Sequence, residues 1–403
     1  MRGVTPFLFY VLLLAAPLLF DYIAVVRLVT ILSYAYIMSI FALSFSILLS
    51  YLGLLNFGHA LFFGFGAYMT AYQLLWLGVP YPIAIIISAL IGSLLGIAVA
   101  FVTRKAFRGI PFAFITLTVQ LIVYFLYRRR ELRFISGSEQ GLLIPLPEIF
   151  ANVFIPLISV IVISILITEC IYDLKREFSE NLANNRSRYI YLLWIISLSI
   201  IYVIILHTIM LMLSSRSGPY RVSFNLYVMS LTLLFIVYMF LKKILNTNLA
   251  LVWIAIRDIE VRAETMGYNT FKLKAYALAL TGFVAALSGG LYIIYSQTIN
   301  PDTAFSPLVS VYGLIYSVVG GLYLIEGSIV GALTVTIIER YLTDFLGGWN
   351  VVITGILFIT IIIFLPRGVS YYSWIIWRTM WQKLSILVLG KKFEKAYAVK
   401  RNS

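Results

Sequence analysis

Charged residues are scarce in this chain. Asp, Glu, Lys and Arg make up 11% of its 403 residues, whereas hydrophobic residues make up 62%. Soluble domains carry about a quarter charged residues, so a chain this apolar is predicted to be an all-α polytopic membrane protein. The net charge of +14 does not indicate a nucleic-acid partner, because Lys and Arg gather in the loops and the tail, as membrane proteins require on one side of the bilayer.

Cysteine and histidine are almost absent as well. The single cysteine, Cys170, excludes an internal disulfide and a cysteine-based metal site. Of the two histidines, His207 stands alone in an apolar run and is typical of a buried, hydrogen-bonded residue. No metal site is expected.

The motifs of catalysis and nucleotide binding are missing. The chain has no G-x-x-x-x-G-K-[ST] phosphate loop, no H-E-x-x-H pair and no G-x-S-x-G elbow, so no cofactor is expected on this chain and no enzyme activity is predicted. The acidic residues within apolar runs, Asp21, Glu169 and Glu339, lie near the ends of those runs. Ion-coupled carriers keep ionisable groups near the midplane, and their absence suggests that energy reaches this protein through a protein contact.

Apolar runs of membrane-crossing length recur along the whole chain. Counting them gives about twelve spans, with ten as the lower bound, and an even number places both termini on one side. Most of the 30 Lys and Arg residues fall in the segments that this topology places inside, which supports the orientation. The predicted spans are 5–26, 28–50, 58–77, 82–103, 110–127, 153–172, 189–213, 224–245, 274–296, 307–324, 327–346 and 350–366.

One basic cluster does not fit this topology easily. Arg128, Arg129, Arg130 and Arg133 fall on the outer side. Either 110–127 is a short or re-entrant span, or these arginines face an acidic external partner.

The chain divides into a membrane-spanning domain, 1–368, and a basic tail, 369–403, which is expected to lie on the cytoplasmic membrane surface. Two glycine-rich breaks, within 53–70 and 320–336, each lead into a helix that begins with small residues. They suggest a duplication of two halves, too weakly to establish one.

The longest polar interruption between two spans is 246–274. Asn246, Thr247 and Asn248 offer N-cap oxygens, Gly267 is a natural stop, and Asp258 precedes Arg262 by four residues, so a short helix with one ion pair is predicted. A segment this long exceeds what a chain reversal needs, and we interpret it as a docking element for a cytoplasmic partner. Its expected apolar face is Val252, Ile256, Ile259, Ala263 and Met266.

A second informative stretch, 51–67, is rich in glycine and contains Asn56 and His59 at membrane depth. It predicts either a broken helix beside a translocation path or glycine-mediated helix packing around a hydrogen-bonded pair. Thr116 and Gln120 share one helical face with Tyr127, and they either line a polar route or form hydrogen bonds between helices. The candidates for the path are Asn56, Gly58, His59, Gly64, Gly66, Thr116 and Gln120.

Three stretches together resemble a known family. YLGLLNFGHALFFGFGAY, GIPFAFITLTVQLI with SGSEQGL, and AIRDIEVRAETMGYN with the following KLKAYALALTGFVAALSGGLY are similar to the branched-chain amino-acid permeases of ABC importers, of the LivM type. LivH-type and urea permeases are less close. The resemblance covers about 30–145 and 224–368. The region 153–213 departs from it and is predicted to be a two-helix insertion.

The resemblance implies a permease subunit that pairs with a second permease, two cytoplasmic ATPase subunits that bind ATP, and an extracytoplasmic solute-binding protein, in the plasma (cytoplasmic) membrane. The family's coupling segment corresponds to Ala255–Asn269. Charge reversal at Glu260 and Glu264 is expected to uncouple ATP hydrolysis from uptake. The coupling residues carried over are Arg257, Asp258, Glu260, Arg262, Glu264 and Gly267.

The sequence therefore predicts a permease subunit of an ATP-driven importer for branched-chain or related amino acids. A permease for urea or short amides is the alternative within the same family. An autonomous ion-coupled carrier or channel is the alternative outside it. A membrane-embedded enzyme would need a set of catalytic groups, and no convincing set is present.

Overall fold

The computed structural model describes residues 22–137, 140–145, 218–322, 325–346, 349–364 and 368–372. The predicted spans 153–172 and 189–213 lie outside the described residues. So do most of the predicted span 5–26 and nearly all of the tail.

Within those ranges the regular secondary structure is helical, except for two short strands of two residues each. β1 (Leu142–Leu143) pairs antiparallel with β2 (Thr298–Ile299), with Leu142 opposite Ile299. The helices are α1 (Tyr22–Ser46) continued by a π-helical turn (Ile47–Tyr51), α2 (Ala60–Trp76), α3 (Tyr81–Val102), α4 (Gly109–Tyr127), α5 (Arg133–Ser136), α6 (Gly218–Leu245), α7 (Asn248–Thr265), α8 (Thr270–Ser296), α9 (Pro301–Phe305), α10 (Pro307–Gly320), α11 (Ile325–Leu346) and α12 (Asn350–Phe364).

Every predicted span that falls in the described part corresponds to a helix, which confirms the all-α architecture there. Among the residues that the structure describes, six stretches are long and apolar enough to cross a membrane. One of them is α4, a continuous helix of 19 residues, so 110–127 has the length of an ordinary span. The total of about twelve spans and the side of the termini stay predictions. The six are Arg27–Tyr51, Tyr81–Val102, Gly109–Tyr127, Val222–Leu245, Thr270–Ser296 and Pro301–Gly320.

Helix α8 is the centre of the bundle and packs against α1, α2, α3 and α6. Small residues allow this close approach. A Cβ on Gly66 of α2 would overlap the backbone of Ala286 in α8, and Gly92 of α3 faces Gly282 of α8 in the same way. In a bilayer, where the surrounding lipid is as apolar as leucine, such close backbone contact supplies much of the packing energy between helices.

The polar contacts sort into two ends of the bundle. At the end where α4 begins, Arg108 pairs with Glu260 of α7. Where α4 ends, Arg128 pairs with Asp302, beside the β1–β2 pair. The loop that contains Arg108 and helix α7 therefore lie at the same end of the bundle, and one of the outer arginines has an acidic partner within this chain. Which end faces the cytoplasm stays a prediction.

Each of the two glycine-rich breaks contains a glycine with a positive φ. Gly53 has a φ of +65° between α1 and α2, and Gly321 has a φ of +113° just after α10, before α11 begins. Both values lie in the region that residues with a Cβ avoid. A duplication of the two halves stays a prediction.

Candidate functional site

The predicted docking segment forms a helix, α7, that ends where its sequence indicates. Gly267 has a φ of +89°, and its N–H donates to the carbonyl of Glu264 at 2.9 Å. The start differs from expectation, because the Thr247 hydroxyl donates back to the Ile244 carbonyl at 2.6 Å and makes no N-cap hydrogen bond. The sequence therefore predicts the end of the helix correctly through Gly267, because glycine is common at the C′ position, and it does not predict the cap at the start.

Helix α7 is kinked at Ile259, where φ is −149° and ψ is 91°. The kink rotates the second half of the helix relative to the first, so the predicted continuous apolar face is wrong in part. Ile256 and Ala263 are buried, at 3% exposure each, whereas Ile259 is 46% and Met266 is 73% exposed. A single non-helical residue is enough to break the 3.6-residue periodicity from which the face was predicted.

The first half of α7 is held to the bundle by two side chains. Trp253 is buried, and its Nε1–H donates to the Leu273 carbonyl of α8 at 3.0 Å. The Arg257 guanidinium donates to the Ser50 carbonyl at 2.6 Å, in the π-helical turn, and its aliphatic stem lies against Gly53. Asp258 pairs with its neighbour Arg257 at 3.0 Å instead of with Arg262 as predicted.

The second half of α7 is held by four charged residues, Arg108, Glu260, Glu264 and Lys274, which we call the ionic cluster. The Lys274 ammonium donates to one carboxylate oxygen of Glu260 at 2.7 Å and to the Phe107 carbonyl at 2.6 Å. Arg108 Nε donates to the other oxygen of Glu260 at 2.8 Å. The Lys274 side chain is only 3% exposed, and burial of a charge at this depth requires such a set of partners.

Glu264 completes the ionic cluster. It lies 3.6 Å from Arg108, and its Oε1 accepts a hydrogen bond from the Thr270 hydroxyl at 2.9 Å. The cluster therefore joins three pieces of chain: the loop between α3 and α4, the second half of α7, and the start of α8.

The side chains of the predicted coupling residues therefore point in different directions, some towards the bundle and some away from it. Glu260 and Glu264 point towards the bundle, and Arg257 reaches the π-helical turn. Asp258 and Arg262 lie on the exposed side, and Gly267 forms the turn into α8. Lys274 and Arg108 were missed as members of this site, because nothing in their local sequence indicates a partner on another helix.

A cavity of about 450 Å³ lies beside the ionic cluster. Aromatic side chains and basic side chains share its walls. Its lining residues are Arg104, Lys105, Ala106, Phe107, Arg108, Pro111, Glu260, Glu264, Thr270, Phe271 and Lys274.

Buried and uncharged polar groups form a second assembly, which we call the neutral network: Ser44, Asn56, His59, Gln120 and Ser310. Ser44 donates to the Phe41 carbonyl at 2.6 Å, and its oxygen lies 2.7 Å from His59 Nε2. Asn56 Nδ2 lies 3.5 Å from His59 Nδ1. Because the single hydroxyl proton of Ser44 goes to Phe41, this geometry fits a neutral imidazole with its hydrogen on Nε2, donating to Ser44.

The other part of the network adjoins the first through the backbone, because Ala60 follows His59 in the chain. Gln120 donates to the Phe305 carbonyl at 2.9 Å and accepts from the Ser310 hydroxyl at 2.8 Å. Ser310 in turn accepts from the Ala60 N–H at 2.8 Å, the first residue of α2. The network thereby ties α1, α2, α4, α9 and α10 together without a formal charge.

All seven candidates for the translocation path lie in close helix packing. A Cβ on Gly58 would overlap the Thr116 carbonyl, and one on Gly64 would overlap the Phe305 ring. Asn56, His59, Thr116 and Gln120 are each at most 2% exposed. These contacts match the packing alternative, and a role on the path stays a prediction. In the part of the chain that the structure describes, no group of three or more His, Cys, Asp or Glu is placed to hold a metal.

These features are those of a multi-pass membrane protein whose helices pack around a buried network of uncharged polar groups. Residues 27–363 match the family described as branched-chain amino acid transport system / permease component, and the chain belongs to this family. The resemblance inferred from the sequence motifs is thereby confirmed, and the protein is a transport permease component.

Similarity to a curated relative supports the same family. Over 120 residues the chain is 29% identical to the probable branched-chain amino acid transport permease protein LivH of Methanocaldococcus jannaschii. The aligned part covers 28% of this chain and 37% of that relative. No solved structure gives a significant match.

Proposed function

We propose that this chain is the transmembrane permease subunit of an ATP-driven importer that moves branched-chain or related amino acids into the cell. It works with a second permease, two cytoplasmic ATPase subunits and an extracytoplasmic solute-binding protein in the cytoplasmic membrane. Family membership supports the transport role. The observation that supports ATPase docking is the exposed side of α7.

That side combines large apolar residues with charges. Ile259, Val261 and Met266 are 46%, 58% and 73% exposed, and Asp258 and Arg262 lie beside them. Apolar anchors among charged residues are typical of surfaces that bind another protein. The opposite side of the helix is held to the bundle, so α7 can carry a load between an ATPase and the spans.

Movement of α7 can reach the spans through two attachments, Arg257 and the ionic cluster. Through Arg257, movement of the first half reaches the π-helical turn and the break that leads to Asn56 and His59. Through the ionic cluster, movement of the second half reaches the α3–α4 loop and α8. ATP-driven closure of the ATPases would thus bias a two-state rearrangement of the helices through the contacts of Arg257 and of the ionic cluster.

The double variant Val261→Asp/Met266→Asp tests the docking face. Both side chains are exposed, so the purified subunit is expected to keep its thermal stability while co-purification of the ATPases and solute uptake each fall by roughly tenfold or more. The matched control is Phe134→Asp/Leu143→Asp, two residues that are 70% and 75% exposed at the opposite end. Full ATPase co-purification with the first variant would disprove docking through this face.

Charge reversal at Glu260 and Glu264 is a weaker test than the sequence indicated. These carboxylates hold Lys274, Arg108 and Thr270, so their reversal also destabilises the subunit itself. A loss of uptake in that variant would not separate docking from folding.

Solute identity is tested with the assembled complex. Hydrolysis of ATP stimulated by leucine-like amino acids, through the cognate solute-binding protein, is expected. Stimulation by urea or short amides alone would favour the alternative within the family. Uptake by the purified chain alone, driven by an ion gradient, would contradict the ATP-driven mechanism.

A further inference from the structure

Two basic side chains that line the cavity, those of Arg104 and Lys105, do not take part in the ionic cluster. Glu260 and Glu264, the acidic residues that line the cavity, are already bound by Lys274, Arg108 and Thr270. In the described part of the chain, Arg104 and Lys105 have no carboxylate within ion-pair distance. Arg104 instead lies over the Phe271 ring, 5.0 Å from its centroid, which fixes the guanidinium at the cavity wall.

The cavity has room for a phosphate group and is built to attract one. Its volume is about 450 Å³, and its basic lining residues outnumber the acidic ones. Arg108 leaves 62% of its side chain exposed, so it can still donate to a ligand while it holds Glu260. Guanidinium groups with free N–H donors are well suited to phosphate oxygens.

The surroundings of the cavity are apolar on the side of the membrane. Phe101 and Val102 end α3 and are 59% and 63% exposed; Ile110 and Phe114 begin α4 and are 71% and 61% exposed. Both helices qualify as membrane spans. They diverge from their shared loop, since α3 packs along α8 whereas α4 contacts α2 and α9. Acyl chains can therefore lie on this surface directly beside the basic cavity.

We propose that this cavity binds the phosphate of an anionic phospholipid from the adjacent leaflet, with Arg104, Lys105 and Arg108 around the headgroup. Basic pockets beside membrane helices bind such headgroups in other proteins. The apolar surface of α3 and α4 favours a lipid over free inorganic phosphate, which would gain nothing from it. The site requires only that the chain spans a membrane, and so it is independent of the ATP-driven mechanism.

The experiment compares two neutralised pairs at opposite ends of the bundle. The purified full-length protein, its Arg104→Gln/Lys105→Gln variant and the control Arg129→Gln/Arg130→Gln are each titrated with fluorescent phosphatidylglycerol and with phosphatidylcholine. Arg129 and Arg130 are also exposed and adjacent, so the control removes the same charge. Inorganic phosphate is added as a competitor.

The wild-type protein is expected to prefer phosphatidylglycerol. Each basic side chain near an anionic headgroup is worth roughly a fivefold change in affinity, so the Arg104/Lys105 pair should lower this preference by on the order of tenfold or more, and the control pair by less than about twofold. Equal losses in both variants, or none in the first, would overturn the proposal. Displacement of the lipid by millimolar inorganic phosphate would show a free-phosphate site in place of a lipid site. Lipid binding by the isolated chain but not by the assembled complex would mean that a partner subunit covers the cavity. That result would also overturn the proposal.

Discussion

The ionic cluster and the neutral network solve the same problem, that of polar groups within an apolar bundle, in different ways. The ionic cluster lies at one end and grades from the buried Lys274, with 3% of its side chain exposed, to the exposed Arg108 at 62%. The neutral network lies inside, where His59 and Gln120 are fully buried. Charge is used where water is near, and neutral hydrogen bonds are used where it is absent.

The difference also separates adjustable contacts from fixed ones. The ionic cluster joins long side chains across loops and can re-pair as those loops move. The neutral network is enclosed by backbone-to-backbone packing at Gly58, Gly64 and Gly66, which leaves little room for change. We therefore expect movement to enter at α7 and the glycine-packed core to move as a unit.

The largest effect is expected from Gly66→Leu, which disrupts the close helix packing around the neutral network. A Cβ at Gly66 would already overlap the Ala286 backbone, so a leucine forces α2 and α8 apart at a cost of about 3 kcal/mol or more. The expected result is loss of monodisperse protein in detergent size-exclusion chromatography and a strongly lowered Tm. In the control, Gly355→Leu, the new Cβ has no heavy atom within 4 Å. A wild-type Tm for Gly66→Leu would refute the proposed rigidity.

A smaller effect is expected from Lys274→Met in the ionic cluster. The substitution keeps the apolar stem but leaves the Phe107 carbonyl and one Glu260 oxygen without their donor. Removal of one partner from a largely buried pair costs about 3 kcal/mol, and Arg108 is expected to recover part of it by re-pairing. Thermal unfolding of the purified subunit measures this loss.

The control for that substitution is Lys272→Met, an exposed residue on the same turn of α8, with an expected change near zero. The double variant Lys274→Met/Glu260→Gln should be less destabilised than the sum of the two single variants, because the unpaired carboxylate is removed as well. Strict additivity would contradict a direct pair.

The smallest effect is expected from Asp258→Asn. Asp258 pairs with Arg257 at the surface, with 60% of its side chain exposed, and such pairs contribute about 0.5 kcal/mol or less. Stability in low and high salt should therefore be nearly unchanged. A loss above about 1 kcal/mol would mean that Asp258 orients Arg257 towards Ser50, and that the first attachment of α7 depends on it.

The local features of α7 were readable from its sequence to different degrees. Gly267 predicted the end of the helix correctly, because a positive φ is a property of one residue. The kink at Ile259 was not predicted, since an isoleucine has no local reason to leave the helical region. The prediction of the apolar face was wrong in part, and that of the Asp258–Arg262 pair was wrong, for the same reason: both assumed an unbroken helix.

The direction of the coupling residues could not be read from their spacing either. Glu260 pairs with Lys274 of the next helix and with Arg108 of a loop far away in the chain. Such partners are chosen by the packing of α7 on the bundle, and a sequence pattern contains no information on which loop lies opposite. The glycines of α2 were different: their number indicated close packing, although not the contacts with Ala286 and Phe305.

The sequence by itself determined that this protein is a helical membrane permease component. Hydrophobic runs of span length, together with motifs of the family, are local properties that the chain carries wherever it folds. Only the tertiary structure decided that Glu260 and Glu264 support α7 from within, that Arg257 holds the π-helical turn, and that Arg104 and Lys105 line a cavity. Those are contacts between residues distant in sequence, and they exist only once α8 has brought its neighbouring helices together.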